Sequence, residues 1–205
     1  MSAAIPLWVY FDAAVGGYFI GSIPFGLILT RLAGLGDIRA IGSGSIGATN
    51  VLRTGNKWLA LATMLLDGGK GAFVVLTVKM LAGDEAVLLA LVAGVSAVVG
   101  HNFPVWLKGK GGKGVATSAG FALAAAPLVG VLGCVTWLIV AVAFRISSFA
   151  ALVALTLTPV YAIVFGRTAE AIAFAVLGVL GWWQHRANIQ RLLKGEEPRI
   201  GAKKN

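Results

Sequence analysis

The chain has 205 residues, of which 58% are hydrophobic and only 12% are charged, and this composition excludes an ordinary water-soluble domain. Its formal net charge of +9 indicates an anionic partner, which could be nucleic acid, lipid headgroups or small anionic substrates. The single cysteine, Cys134, excludes a disulfide framework and a thiolate metal cluster, and its place in an apolar run predicts a buried side chain.

Long apolar segments follow one another along the chain, without the strand-like alternation of apolar and polar residues. Backbone groups that face lipid must satisfy their hydrogen bonds internally, so the sequence predicts an all-α integral membrane protein. Charged residues, glycine and proline divide it into seven predicted spans, at 4–33, 57–82, 86–102, 113–125, 127–145, 148–165 and 169–184. The first lacks a positively charged start and exceeds signal-peptide length, which favours a span over a cleaved signal. Without internal repeats or linkers, residues 1–205 are predicted to form one domain.

The stretch 113–145 can be read as one long tilted helix or as two short helices separated at Pro127. The distribution of positive charge favours two helices. With seven spans and the N-terminus outside, 14 of the 17 Lys and Arg residues fall on one side, Lys79 and Arg167 fall on the other, and Lys70 lies within a span. This bias follows the positive-inside rule and predicts a cytoplasmic C-terminus.

Four polar segments fall on the predicted cytoplasmic side, at 36–57, 100–118, 145–148 and 184–205. The first contains GSGSIGATNVLR, in which Ser43, Ser45, Thr49 and Asn50 precede Arg53. Small hydrogen-bonding side chains followed by a guanidinium suit a phosphate, which arginine contacts through two parallel hydrogen bonds. The same hydroxyl residues are also common in turns and helix N-caps, so either interpretation is open for them.

Two glycine-rich segments, GSGSIG (42–47) and GKGGKG (109–114), match the spacing G-x-G-x-x-G. Neither is typical of a nucleotide fingerprint, because no strand pattern precedes it and residues 114–159 contain no Asp or Glu. A P-loop is excluded because Lys113 is followed by Gly114.

The 109–114 loop nevertheless precedes a helical pattern, and its glycines permit positive φ. Its N–H groups are therefore predicted to surround an oxyanion at a helix N-terminus. The positive charge comes from Lys108, Lys110 and Lys113. The alternative is a loop whose lysines only set the topology and contact acidic lipids.

Further polar residues lie within or beside the predicted spans. Asp67 and Lys70 are one helical turn apart and are predicted to pair, either for function or to hold the helix. His185, Asn188 and Arg191 are spaced to share one helix face, as donors to a phosphate or hydroxyl or as interfacial residues.

The other histidine, His101, is followed by Asn102, and the pair is interpreted as a structural cap. Two histidines without a carboxylate cluster argue against a metal site. No G-x-S-x-G elbow is present, and neither histidine begins a His-x-x-x-x-Asp pair. If the chain is an enzyme, its substrate must therefore arrive already activated.

The segments GSGSIGATNVLR, GHNFPVWLKGKGGKGVATS and HRANIQRLLKGEE resemble the three signature regions of the bacterial membrane-integral acyl-phosphate:glycerol-3-phosphate acyltransferases. The likeness extends over nearly the whole chain, from GSIPFG to GEEPRIG. It implies seven spans, a cytoplasmic active site in the bacterial inner membrane, and no acyl-CoA, metal or other cofactor. Two departures are Ser45-Ile46, where the family commonly has Asn-Pro, and Ala187, where it often has Glu.

The resemblance implies transfer of a fatty acyl group from acyl phosphate to the 1-hydroxyl of sn-glycerol 3-phosphate, which is the first acylation of phospholipid biosynthesis. It also implies that Glu197 maintains the fold more than it takes part in the chemistry. The implied catalytic residues are Ser43, Arg53, Lys113, His185 and Asn188. The implied substrate-binding residues are Thr49, Asn50, Gly109, Lys110, Gly111, Gly112, Gly114, Ser147 and Ser148, of which one of the two adjacent serines contacts substrate.

Acyl phosphate is a mixed anhydride and is already activated for acyl transfer. The enzyme therefore needs only to hold the hydroxyl near the carbonyl and to neutralise the departing phosphate. We expect the 109–114 loop to neutralise that phosphate, with its N–H groups and lysines, while Arg53, His185 and Asn188 hold glycerol phosphate. A substrate phosphate oxygen is the expected base, with His185 as the alternative. The expected partners are the two substrates and membrane lipids, without nucleic acid or an obligate protein partner. The rival interpretations are a transporter of phosphate or small organic anions and a noncatalytic lipid-binding scaffold.

Overall fold

The computed structural model describes residues 5–84 and 86–201, and all regular structure in these residues is helical. The α-helices in these ranges are α1 (Leu7–Gly21), α2 (Phe25–Leu32), α3 (Ala48–Val51), α4 (Lys57–Ala82), α5 (Val87–Asn102), α6 (Val115–Ala125), α7 (Pro127–Phe144), α8 (Ser147–Val164), α9 (Thr168–Gln184) and α10 (Arg186–Leu193). Short 3-10 turns cover Ile38–Ala40, Leu52–Thr54 and Val105–Leu107. The predicted all-α class is confirmed.

Five segments of the described residues are long and apolar enough to cross a membrane. They are Leu7–Leu32, Lys57–Ala82, Val87–Leu107, Pro127–Phe144 and Ser147–Val164. The other two predicted spans are also helical but shorter. Helix α6 has 11 residues, or about 16 Å at 1.5 Å per residue, and α9 has 17 residues. The count of seven spans and the orientation of the termini therefore stay predictions. Residue 4 of the first predicted span and two of the counted lysines, Lys203 and Lys204, lie outside the described residues.

The first predicted span is interrupted, although the sequence predicted a single segment over 4–33. Helix α1 ends at Gly21 and α2 begins at Phe25. Pro24 explains the break, because it has no N–H to donate and disfavours helical geometry at the preceding residue, Ile23. The carbonyl of Ile23 is then available to a side chain from another helix, and the Nζ of Lys70 donates to it at 2.9 Å.

The residues up to Ala125 form one compact unit, and those from Ala126 form a second. In the first unit, α1 packs along α5 and α4 packs along α6. Both contacts depend on glycine: a Cβ on Gly21 would overlap the backbone of Ala97, and one on Gly120 would overlap the backbone of Gly68. Small residues of this kind let helix backbones approach closely where lipid supplies no hydrophobic driving force.

The predicted break at Pro127 is confirmed, because α6 ends at Ala125 and α7 begins at the proline. Lys79 of α4 secures the end of α6. Its Nζ donates to the carbonyl oxygens of Ala124 at 2.8 Å and Ala125 at 3.4 Å, which would otherwise be unsatisfied at the helix C-terminus. This lysine therefore caps a helix in addition to any role in topology.

In the second unit, α7 packs on α8 and α8 packs on α9. The chain after α10 returns to the turn between α7 and α8, where the N–H of Ile200 donates to the carbonyl of Arg145 at 2.6 Å. Cys134, in α7, is half-buried, so the prediction of a buried thiol is wrong; an apolar run in a membrane protein also has a face toward lipid. The prediction of one domain over residues 1–205 stays a prediction.

Candidate functional site

The loop before α4 is organised by the buried side chain of Asn50. Its Nδ2 donates to the carbonyl oxygens of Ile38 at 2.9 Å, Ile41 at 3.1 Å and Ser45 at 2.8 Å. Its Oδ1 accepts the N–H of Ser43 at 3.0 Å. Because the amide is fully used within the loop, we revise the predicted role of Asn50 from substrate ligand to loop organiser.

The guanidinium of Arg53 contacts the same amide. Its Nη1 donates to the Oδ1 of Asn50 at 3.3 Å, while its side chain is exposed. Ser43 and Thr49 are also exposed. Gly42 lies under the guanidinium with φ of +59°, and a Cβ there would overlap Asn50 Oδ1. The structure thus brings the predicted residues of the first motif together on one exposed loop.

The 109–114 loop uses most of its backbone N–H groups internally, which contradicts part of the prediction. Those of Gly109 and Lys110 donate to Pro104 and Leu107, and those of Gly111 and Gly112 donate to Asn102 at 3.2 Å and His101 at 3.0 Å. The acceptors at the last two are carbonyl oxygens at the end of α5, which need partners. The predicted oxyanion cradle is therefore wrong for the N–H groups of residues 109–112.

The end of this loop keeps the features expected of an anion site. Gly114 has φ of +76° and leads into α6, whose first-turn N–H groups face outward along the helix axis. Lys108 and Lys110 are exposed, and Lys113 is partly exposed. Beside Gly114, the side chain of Asn102 is buried and neither its Nδ2 nor its Oδ1 has a hydrogen-bond partner.

The first motif and the glycine loop are joined through an apolar core within the first unit. Leu107, just before the glycine loop, packs against that core together with Leu59. The core consists of Leu27, Ile38, Ile46, Val51 and Ala60. The predicted convergence of polar segments is thus confirmed for these two.

Asp67, Lys70 and His101 form a buried polar cluster. The predicted pairing is confirmed, because Lys70 Nζ lies 2.9 Å from Asp67 Oδ1. The same Nζ lies 2.8 Å from His101 Nδ1, so this histidine is more than the cap that the sequence predicted. Sequence spacing carries no signal for this contact, because the two residues are on different helices and 31 positions apart.

A second polar cluster, in the second unit, is built on Glu197. Its Oε1 accepts from Ser148 Oγ at 2.7 Å and from Asn188 Nδ2, and its Oε2 accepts from Arg191 Nε at 2.7 Å. Burial alone would raise the pKa of Glu197, but the hydrogen bonds from Asn188, Ser148 and Arg191 outweigh it and lower that pKa. The predicted shared face of Asn188 and Arg191 is confirmed. Ser148 is buried and bonded here, while Ser147 is half-buried.

His185 lies at the junction of α9 and α10 and is buried. Its Nδ1 is 2.7 Å from the carbonyl oxygen of Gly181. A carbonyl oxygen only accepts, so the proton of the neutral ring is on Nδ1 and Nε2 is the acceptor nitrogen. In this tautomer, Nε2 has the chemistry required to accept a hydroxyl proton.

Comparison with known proteins decides the family. Residues 12–195 match the family model described as glycerol-3-phosphate acyltransferase. The chain belongs to the glycerol-3-phosphate acyltransferase family. It is 60% identical over 209 residues to the enzyme of that name from Rhodospirillum rubrum, covering 100% of this chain and 97% of the relative. It is 63% identical over 193 residues to that from Paramagnetospirillum magneticum, covering 94% of each chain.

Solved structures of the family have the same fold. The chain is similar to the crystal structure of PlsY (YgiH), an integral membrane glycerol 3-phosphate acyltransferase, in its glycerol 3-phosphate form, with a TM-score of 0.87 and 34% identity. The match covers 94% of this chain and 96% of that chain. The lysophosphatidic acid form matches with a TM-score of 0.85 and 33% identity. The predicted resemblance, the acyltransferase activity class and the multi-pass membrane architecture are therefore confirmed.

The described residues contain no group of three or more His, Cys, Asp and Glu side chains placed to hold a metal ion. The polar residues instead form two kinds of arrangement. One presents exposed cations, above all Arg53 and the loop lysines, and the other holds buried hydrogen-bonding groups such as His185 and Asn188. Cations suit phosphate groups, and neutral donors and acceptors suit a hydroxyl.

Proposed function

We propose that this chain transfers a fatty acyl group from acyl phosphate to the 1-hydroxyl of sn-glycerol 3-phosphate, giving lysophosphatidic acid and inorganic phosphate. The observation that carries the proposal is membership of the glycerol-3-phosphate acyltransferase family along nearly the whole chain. The similar PlsY structures in glycerol 3-phosphate and lysophosphatidic acid forms support the acceptor and the product.

The reaction needs no covalent enzyme intermediate. The glycerol hydroxyl attacks the carbonyl carbon of the mixed anhydride, a new ester C–O bond forms, and the bond between the carbonyl carbon and the phosphate oxygen breaks. The electron pair of that bond leaves with inorganic phosphate, and the hydroxyl proton passes to a base. The protein must bring the two anions together and stabilise the charge that develops on the departing phosphate.

In the first unit, we assign the phosphate chemistry to side chains and to the start of α6. Arg53 is exposed, anchored through Asn50, and suited to the phosphate of glycerol phosphate, with Ser43 beside Asn50 on the same loop. Lys113, next to Gly114 at the helix start, would neutralise the departing phosphate, assisted by Lys110. The first-turn N–H groups of α6 replace those of residues 109–112 as backbone donors.

In the second unit, we assign the glycerol hydroxyls to His185 and Asn188. The tautomer of His185 makes Nε2 an acceptor for a hydroxyl, and Asn188 is oriented by its bond to Glu197. Ser148 donates its proton to Oε1 of Glu197, and we assign substrate contact to one of the two adjacent serines, Ser147 or Ser148. A phosphate oxygen of a substrate is the proposed base, since a phosphate dianion accepts a proton near neutral pH.

The proposed setting is the bacterial inner membrane, with seven spans, the N-terminus outside and the active site on the cytoplasmic face. The placement of 14 Lys and Arg residues on one side supports this orientation. The acyl chain would remain among the lipids. Neither a cofactor nor an obligate protein partner is needed for the proposed chemistry.

The test uses purified protein in detergent with acyl phosphate and labelled glycerol 3-phosphate. We expect labelled lysophosphatidic acid and inorganic phosphate in equal amounts, and no product when acyl-CoA replaces acyl phosphate. Product formed from acyl-CoA in the absence of acyl phosphate would refute the proposal that acyl phosphate is the donor. Uptake of labelled anion into vesicles without any product would favour a transporter over an enzyme.

A further inference from the structure

Lys70 connects three separate parts of the first unit through one buried ammonium group. Its Nζ donates to Asp67 Oδ1 on α4, to Ile23 O in the break between α1 and α2, and to His101 Nδ1 at the end of α5, at distances of 2.8 to 2.9 Å. An ammonium has three protons, and these three acceptors use all of them. A simple ion pair would have required only Asp67.

The tautomer of His101 follows from this contact. Lys70 can only donate, so Nδ1 accepts and the ring proton is on Nε2. The Nε2 edge of the ring lies against Gly112, where a Cβ would overlap it. The carbonyl of His101 also accepts the N–H of Gly112 at 3.0 Å. The glycine loop is therefore held by both the ring and the backbone of His101.

We propose that Asp67, Lys70 and His101 are positioning residues that fix the 109–114 loop for the donor phosphate. A charged pair in a membrane helix is costly and is usually retained for a function. Lys70 fixes the imidazole, and the imidazole edge sets where Gly112, and hence the adjacent Lys113, can lie. The link to the donor phosphate rests on the proposed function, whereas the link to loop position does not.

His101→Asn is the main test variant. The asparagine Oδ1 can still accept from Lys70, so the buried ammonium keeps a partner, but the ring edge against Gly112 is lost. Lys70→Met removes the ammonium group that fixes the imidazole of His101. Lys79→Met is the matched control, because it removes the other lysine of α4 that donates to carbonyl oxygens, at the far end of α6.

The first readout needs no activity. Limited trypsin digestion of detergent-purified protein, followed by mass spectrometry, measures cleavage after Lys108, Lys110 and Lys113. Proteolysis follows the population of the locally opened loop, so we expect the loss of the ring contact to make cleavage in His101→Asn faster by about tenfold or more. We expect melting temperatures near that of the unaltered protein for His101→Asn, and unchanged loop cleavage in Lys79→Met.

The second readout is steady-state kinetics with acyl phosphate and glycerol 3-phosphate. We expect His101→Asn to raise the KM for acyl phosphate by about tenfold and leave the KM for glycerol 3-phosphate unchanged. Lys70→Met should behave alike where it folds, and His101→Asn carries the test where it does not.

Three results would overturn the proposal. One is folded His101→Asn with unchanged cleavage and unchanged KM for acyl phosphate. The others are an equal rise in both KM values, which indicates general loosening, and faster loop cleavage in Lys79→Met. If the unaltered protein made no product at all, the proposed function would fail, while the trypsin measurement would still decide loop positioning.

Discussion

Ser148 and Asn188 donate hydrogen bonds to the same carboxylate oxygen of Glu197, although they lie on different helices. The other oxygen accepts from Arg191. The Glu197 side chain is only 5% exposed, so these bonds are largely protected from water. One carboxylate therefore sets the positions of two predicted site residues, which gives physical content to the fold-maintaining role implied by the resemblance.

Removing this carboxylate should destabilise the protein. Glu197→Ala removes the carboxylate that accepts from buried Ser148 and Asn188, and a buried hydrogen bond lost in this way costs about 1–3 kcal/mol. We expect a lower apparent melting temperature in detergent, together with weaker binding of glycerol 3-phosphate. Glu196→Ala is the control, because the side chain of Glu196 is exposed and its removal should not lower the melting temperature. Equal melting temperatures for both variants would contradict the structural role.

The stability that Glu197 contributes should depend on pH. Its pKa is lowered in the folded protein, so its contribution is complete above the ordinary pKa of about 4.3 and is lost as the pH falls through the lower folded value. We expect the difference in melting temperature between the unaltered protein and Glu197→Gln to be largest near neutral pH and to shrink below about pH 4. The other carboxyl groups titrate in both proteins, so their contributions cancel in the difference between the two melting temperatures. A difference that grows on acidification would contradict the lowered pKa.

The local parts of this structure could be predicted from the sequence. The helix break at Pro127 and the pairing of Asp67 with Lys70 follow from residues that are adjacent or one turn apart. The break at Pro24 had the same local signal, but a continuous apolar run concealed it. Long apolar segments without strand-like alternation predicted the all-α membrane class, because lipid leaves few options for the backbone.

The contacts between helices could not be predicted in this way. Nothing in the spacing of His101 indicates that its ring meets Lys70, since that depends on how α4 and α5 pack. The internal use of the N–H groups in the 109–114 loop depends on the carbonyl oxygens at the end of α5. Likewise, Asn50 was predicted to bind substrate because an amide side chain can do so. The loop conformation instead places three carbonyl oxygens within hydrogen-bonding distance of its Nδ2.

Two glycines of the first motif offer a matched pair of substitutions. Gly42 and Gly44 both have positive φ, at +59° and +69°, so alanine at either position costs about 1 kcal/mol of backbone strain. Only at Gly42 would the added Cβ overlap Asn50 and crowd Arg53. We expect Gly42→Ala to reduce kcat/KM for glycerol 3-phosphate strongly and Gly44→Ala to reduce it slightly, as measured by product formation. Equal losses would show that backbone strain alone matters.

The two proposed phosphate cations should be essential for activity and dispensable for folding. Arg53 is exposed and Lys113 is partly exposed, so neither replacement opens a cavity. Each removes a charge that stabilises a phosphate, and we expect Arg53→Ala and Lys113→Ala to lower kcat/KM by about a hundred-fold or more. Phosphate release and melting temperature are measured side by side. Lys57→Ala, an exposed cation at the start of α4, is the control. Full activity in either test variant would remove that residue from the proposed site.

The role of His185 can be read from which kinetic parameter changes. Its Nδ1 lies 2.7 Å from the carbonyl oxygen of Gly181, so the neutral ring has its proton on Nδ1 and Nε2 is the acceptor nitrogen. If it binds a glycerol hydroxyl, His185→Ala should raise the KM for glycerol 3-phosphate by about tenfold, the value of one hydrogen bond, with kcat little changed. If it is the base, kcat falls and KM stays the same. Gln190→Ala, an exposed change on α10, should alter neither parameter. Because a substrate phosphate is the proposed base, we expect the change in KM. A fall in kcat alone would identify His185 as the base instead. If neither parameter changed, His185 would have only a packing role.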